Sequence, residues 1–189
     1  MSSRRGRTLK PTLGNLARRW GPVAFWLVVI RLESTDFASS ARTSGLLHQI
    51  AVAIFGHIDP TVVEAANTIV RKSGHFVGYA ILSLLVFRAL KYTQHDRLRL
   101  VLHRRWGMFF RDLWRWEWAV TAVLFTFTTA ALDEIHQASL ASRTGQWQDV
   151  ALDTAGAIAM QLLLYARAAH TMSLQRKHAA EGHDPDLHH

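Results

Sequence analysis

The chain has 189 residues, enough for one domain, and combines 49% hydrophobic residues with a formal net charge of +8. It contains no cysteine, which excludes disulfides and thiolate chemistry. The basic residues cluster between apolar runs rather than along a stripe, and no RNA-binding or zinc-finger signature is present. The pI of about 10.8 therefore does not point to nucleic acid.

Residues 1–19 form a polar, basic arm, and the apolar run after it lacks the small-residue cleavage site of a secretory signal. That run, Trp20–Ile30, is shorter than the roughly 20 residues a span needs. It lengthens through Leu32, Ser34 and Thr35, with Arg31 and Glu33 at a water interface. Thr43–Ile58 holds no Lys, Arg, Asp or Glu, and Leu47, Ile50, Ala51, Ile54, Phe55 and Ile58 recur at helical spacing. This predicts an amphipathic helix lying on the membrane or on the bundle. Asp59-Pro60 starts a new helix, with Asp59 as N-cap and Pro60 at the first helical position. That helix, Pro60–Arg71, leads into a second span over Ser73–Leu90, which Arg88 and Lys91 end by reaching towards water.

Residues 91–117 read as a basic linker in which Trp106, Trp114 and Trp116 alternate with arginines, an interfacial composition. The third span is Trp118–Leu132 and the fourth about Val150–Ala166, with Asp153 and Gln161 inside it. The charged, His-rich tail, residues 169–189, is expected to be disordered. A soluble four-helix bundle would show similar runs. Its helices would carry polar outward faces, however, whereas Val120–Leu132 and Ile81–Phe87 have only Ser and Thr as polar residues. The fold class is thus all-α: a polytopic membrane protein with four transmembrane helices and an amphipathic helix between spans one and two. Residues 20–168 form the transmembrane domain. Seventeen of the 22 Lys and Arg fall on one side of this arrangement and five on the other. The positive-inside rule then puts both termini in the cytoplasm of a multi-pass inner (plasma) membrane protein.

Charged side chains at a helix centre cost about 2.5–3.5 kcal/mol on insertion scales, so those near span ends call for an explanation. Lys72, His75 and Tyr79 are three and four apart, on one face at the outward start of span two. Glu134 and Gln137 are three apart at the outward end of span three. Asp149, Asp153 and Gly156 share a face at the outward start of span four, and Arg143 lies in the connection between. Each has a plain reading: Lys72 as an interfacial anchor, His75 as a satisfied polar residue, Tyr79 as a belt aromatic, Glu134 with Arg143 as a loop-closing pair, Asp149 as a cap. Their common depth and side is what makes them a candidate binding cluster. His75, Asp133, Glu134, His136 and Asp149 are of metal-ligating type. Yet no HExxH or similar pattern accompanies them, and Lys72 and Arg143 would oppose a cation. Neither a metal nor another cofactor is expected. Ser73, Ser139 and Ser142 have no nucleophile elbow.

Two blocks resemble the VanZ-like family of small bacterial membrane proteins. Arg71-Lys72-Ser73-Gly74-His75-Phe76-Val77-Gly78-Tyr79 is similar to the family's Lys-x-x-His-x-x-x-Tyr segment. Asp133-Glu134-Ile135-His136-Gln137, with Ser142-Arg143-Thr144-Gly145 and Asp149 to Gly156, is similar to its Glu-x-x-Gln … Arg … Asp … Gly block. Glu33-Ser34-Thr35 stands where the family has a small-polar segment. The chain departs from the pattern at Asp153, where Asn is more usual, and in its long 91–117 linker. The resemblance covers about residues 20–168 and implies a role in the cell envelope. The family takes its name from an accessory protein that raises tolerance to teicoplanin, so a link to glycopeptide resistance is the finer expectation.

Three functions compete. The cluster binds an anionic lipid headgroup or lipid-linked cell-wall precursor, with Lys72, Arg143 and His75 on the phosphate and Glu134, Asp149 and Asp153 positioning them. Alternatively it is the site of an integral-membrane enzyme acting on a phosphorylated lipid or precursor, with His75 or Glu134 as general base. Last, Asp153 and Glu134 serve as relays in an ion-coupled carrier; four spans without a repeat make this the weakest. The expected partners are membrane lipid or lipid-linked precursor and not nucleic acid, and the sequence does not set the oligomeric state.

Overall fold

The computed structural model describes residues 13–33, 59–101, 114–139 and 146–181, together with 45, 49, 52–54 and 56. Among them are four long helices: α1 (Leu13–Glu33), α2 (Pro60–Val101), α3 (Trp116–Ala138) and α4 (Trp147–Glu181). Helix α2 packs on all three others, and α3 also packs on α4. Three helices, α2 through α4, contain segments long and apolar enough to cross a membrane: Pro60–Thr93, Trp116–Ala138 and Trp147–His178. Helix α1 has 21 residues, a length of about 32 Å, but is not among these three. The expected amphipathic helix, Thr43–Ile58, falls largely outside the described residues. So do Arg143, residues 102–113 of the Trp-rich linker and residues 182–189.

The start of α2 follows from its sequence. The Asp59 carboxylate accepts hydrogen bonds from the Thr61 backbone N–H (2.9 Å) and hydroxyl (2.8 Å), occupying donors that the first helical turn leaves free. These bonds hold the Asp59 carboxyl below its ordinary value. Pro60 needs no N–H partner at this position. The Pro60–Arg71 helix leads into the second span without a break, and where the sequence suggested a linker from residue 91 the helix continues, so that 42 residues run from Pro60 to Val101. At about 63 Å it is twice the roughly 30 Å of a hydrocarbon core. Helix α4 likewise runs to Glu181, so residues 169–181 are helical rather than disordered. Their Ala, Leu, Gln, Arg and Lys residues are strong helix formers.

The core is built on small residues. Ala119, Ala122, Thr126 and Ala130 make the buried face of α3, and Gly156 and Ala157 are buried on α4. A Cβ on Gly156 would overlap the backbone carbonyl of Phe76, so α2 and α4 approach backbone to backbone, as small residues allow. Ser83 donates to the Ala157 carbonyl (3.3 Å), and Gln161 donates to the Ser83 hydroxyl (2.8 Å). Larger side chains, Tyr79, Leu82, Val86 and Trp118, fill the centre. Trp26 ties α1 to α2 by donating to the Gly78 carbonyl at 2.8 Å.

The outer surface is apolar. Phe25, Val28, Val77, Leu124, Phe127, Leu132, Ile158 and Leu162 are all exposed. The hydroxyls of Thr126, Thr128, Thr129 and Thr154 are satisfied by the carbonyl four residues earlier. Exposed apolar flanks with internally bonded hydroxyls fit a helix bundle in lipid, where no water is present to satisfy polar groups.

Candidate functional site

The ends of α1 and α3 and the first turns of α4 meet α2 at Arg71–Tyr79, and the four helices alternate in direction. The buried face of α3 continues past Ala130 to Asp133 and Gln137, at spacings of three and four. Asp133, itself buried, is a hub. Its carboxylate accepts hydrogen bonds from Gln137 Nε2 (2.8 Å) and the Tyr79 hydroxyl (3.4 Å), and Arg31 of α1 approaches to 3.6 Å. One carboxylate thus links α1, α2 and α3.

A second set joins α2 to α4. Asp149, in the first turn of α4, faces Arg71 at 3.4 Å and Lys72 at 3.9 Å. One turn further in, Asp153 lies 3.5 Å from His75 Nδ1. The His75 ring stacks on Tyr79, with centroids 6.3 Å apart, and so joins the two sets. Glu134 turns elsewhere: its carboxylate accepts the Gln146 backbone N–H just ahead of α4. Lys72 therefore pairs with Asp149 and not with Glu134.

Of the residues singled out in the sequence, Lys72, His75, Tyr79, Gln137, Asp149 and Asp153 lie in linked contacts. Glu134 sits beside them in a bracing position, and Arg143 falls outside the described residues. Arg31, Arg71 and Asp133 are the additions. Arg31 had been read as an interfacial residue, Arg71 as a neighbour in the first block and Asp133 only as a metal-ligand type. The signal for Asp133 was present, because the small-residue stripe at 119, 122, 126 and 130 extends to 133 and 137 and skips 134. No three His, Asp or Glu side chains among the described residues gather into a metal-holding group.

Charge is sorted by depth. The side chains of Arg31, Arg71 and Lys72 are 52%, 36% and 47% exposed, against 6%, 12% and 5% for Asp133, Asp149 and Asp153. Acids and bases nearly balance in number, yet the surface presented outward is basic. The carboxylates hold the bases in place from beneath. Asp149 Oδ1 and Asp153 Oδ1 make no hydrogen bond among the described residues, so each keeps acceptor capacity.

A family model described as VanZ/LLP1 matches residues 21–168, which take in α2 and α3 whole, parts of α1 and α4, and every residue of this cluster. No curated protein and no solved structure matches the chain.

Proposed function

Because the chain belongs to the VanZ/LLP1 family, we propose that it is a four-span membrane protein of the bacterial cell envelope whose outward cluster binds an anionic lipid headgroup or a lipid-linked cell-wall precursor. The observation that carries this reading is the sorting of charge by depth. Half-exposed Arg71 and Lys72 stand over a buried carboxylate, where a phosphate group can meet both at once. Each Lys or Arg near an anionic membrane surface is worth about 1 kcal/mol towards anionic lipid.

In this reading α1 is the first of the four spans, and both termini face the cytoplasm of the inner membrane. Its length of about 32 Å suffices, and the basic residues divide seventeen to five. The chain has no cysteine, so the topology is tested with single substitutions. In intact cells an impermeant thiol reagent should label Ser142→Cys and spare Ser2→Cys. Labelling of both, or the reverse pattern, contradicts the orientation.

The enzyme reading rests on a separate observation, the His75–Asp153 pair. A histidine held by a carboxylate is the usual form of an oriented general base. Full-length protein in lipid nanodiscs, given a radiolabelled lipid-linked precursor, separates the two. Retention of the unchanged precursor is the expected result. Conversion that is lost in His75→Ala would establish the enzyme instead, and neither retention nor conversion would remove both readings. Teicoplanin tolerance, the finer expectation from the family, is read in the same strain with and without Lys72→Ala.

A further inference from the structure

A cavity of about 550 Å³ opens between α1 and α3, with Leu27, Val28 and Arg31 on one wall and Leu132, Asp133 and His136 on the other. This lies within the roughly 300–1,000 Å³ of pockets that hold small ligands. Its lower part is apolar. Thr129 also lines it, but the Thr129 hydroxyl is spent on the Phe125 carbonyl (2.9 Å). The lips, Val28 and Leu132, are 56% and 63% exposed. Its upper part holds the half-exposed Arg31 guanidinium, with His136 beside it and the buried Asp133 beneath. From Thr129 to His136 the wall is about 10 Å long, roughly two-thirds of one leaflet's hydrocarbon.

We propose that this groove takes an acyl chain of an anionic membrane lipid, with Arg31 meeting the headgroup that the Arg71–Lys72 rim also draws. The occupant is argued from depth and charge. The α3 wall belongs to a segment apolar enough to cross a membrane, where the medium that fills an apolar groove is hydrocarbon. The half-exposed Arg31 guanidinium at the mouth is on a long stem that can carry it from apolar surroundings to a lipid's phosphate. The groove connects to the cluster through Asp133, which Arg31 and the Tyr79 hydroxyl both approach. This rests on the reading of the cluster as a headgroup site, and the test keeps the two apart.

Purified full-length protein is titrated with dioleoyl phosphatidylglycerol and, separately, with glycerol phosphate, which has the headgroup chemistry without chains. Leu132→Trp and Val28→Trp fill the groove from exposed positions on opposite walls. Each should weaken lipid binding about tenfold, in line with the few-fold to hundred-fold penalty for spoiling an apolar pocket, and leave glycerol phosphate binding unchanged. Lys72→Ala should weaken both probes. Unchanged lipid binding in both Trp variants, with the loss in Lys72→Ala retained, overturns the groove and spares the headgroup site. Loss in the Trp variants with no effect of Lys72→Ala on either probe does the opposite. A photo-reactive benzoylphenylalanine in place of Leu132 identifies the occupant in native membranes. Cross-links to phospholipid are expected, whereas cross-links only to residues 34–58 of the same chain, or to a second copy, overturn the proposal.

Discussion

Replacing Gly156 with alanine should destabilise the bundle by about 3 kcal/mol, the upper end of what overpacking a well-filled core costs. The added Cβ meets the Phe76 carbonyl, a backbone atom in the middle of a 42-residue helix. A flexible side chain could swing aside; a helical carbonyl cannot, and α2 is fixed on its other flank by the Trp26 bond to Gly78. The helices must therefore separate, which lengthens the Ser83–Ala157 and Gln161–Ser83 hydrogen bonds below and pulls His75 from Asp153 above. Gly74 serves as control, since a Cβ there meets nothing within 4 Å. Gly74→Ala should be neutral or stabilising by about 0.4–1 kcal/mol through the unfolded chain. Thermal unfolding of the two variants in one detergent checks this. Equal melting midpoints would mean that α2 and α4 do not meet at Gly156.

The second large effect is expected at Asp133. Asp133→Ala removes the acceptor of the Gln137 amide and Tyr79 hydroxyl and the counter-charge of Arg31. Hydrogen bonds to a charged group are worth about 1.5–3 kcal/mol each. Arg31 is half-exposed and recovers water, so its share is small. The sum is about 3 kcal/mol, most of it from removing the acceptor of two buried donors. Asp133→Asn keeps one carbonyl oxygen for those donors and should cost about half as much. Glu134→Gln, one residue along, retains an acceptor for the Gln146 N–H and should stay within about 0.5 kcal/mol of the parent. A larger loss at Glu134 than at Asp133, by the same thermal measurement, would contradict the assignment of the hub.

These two positions mark where reading the sequence succeeds and where it stops. Gly156 was visible as one face with Asp149 and Asp153, because helical spacing is written in the order of residues. That its face lies against the Phe76 backbone is a fact of packing between segments some 80 positions apart, which spacing does not carry. The Asp59-Pro60 start was legible because a cap is local. The ends of α2 and α4 were not. Basic and His-rich composition beyond residues 91 and 169 reads as linker or tail, while intrinsic propensity continues the helix. In the cluster, type and depth could be read, but partners could not. Level and charge alone offer Glu134, Asp149 and Asp153 alike as partners for the bases, and Lys72 pairs with Asp149. The family pattern marks Glu134, whereas the small-residue stripe of α3 extends to Asp133, one residue earlier.

The sorting of charge also separates stability from binding. Arg71 and Lys72 sit at the rim, where exposed ion pairs contribute about 0–1 kcal/mol, so neither should matter greatly to the fold. Their value lies in facing outward, held by Asp149 beneath them. The most direct measurement is therefore made on the Arg71→Gln, Lys72→Gln double variant, with dioleoyl phosphatidylglycerol affinity and melting midpoint determined in the same detergent. Affinity should fall by tenfold or more, as expected for two bases worth about 1 kcal/mol each, and the midpoint should stay near that of the parent. Unchanged affinity, or a collapse of the midpoint that accounts for the loss, would contradict the assignment of this rim as the headgroup site.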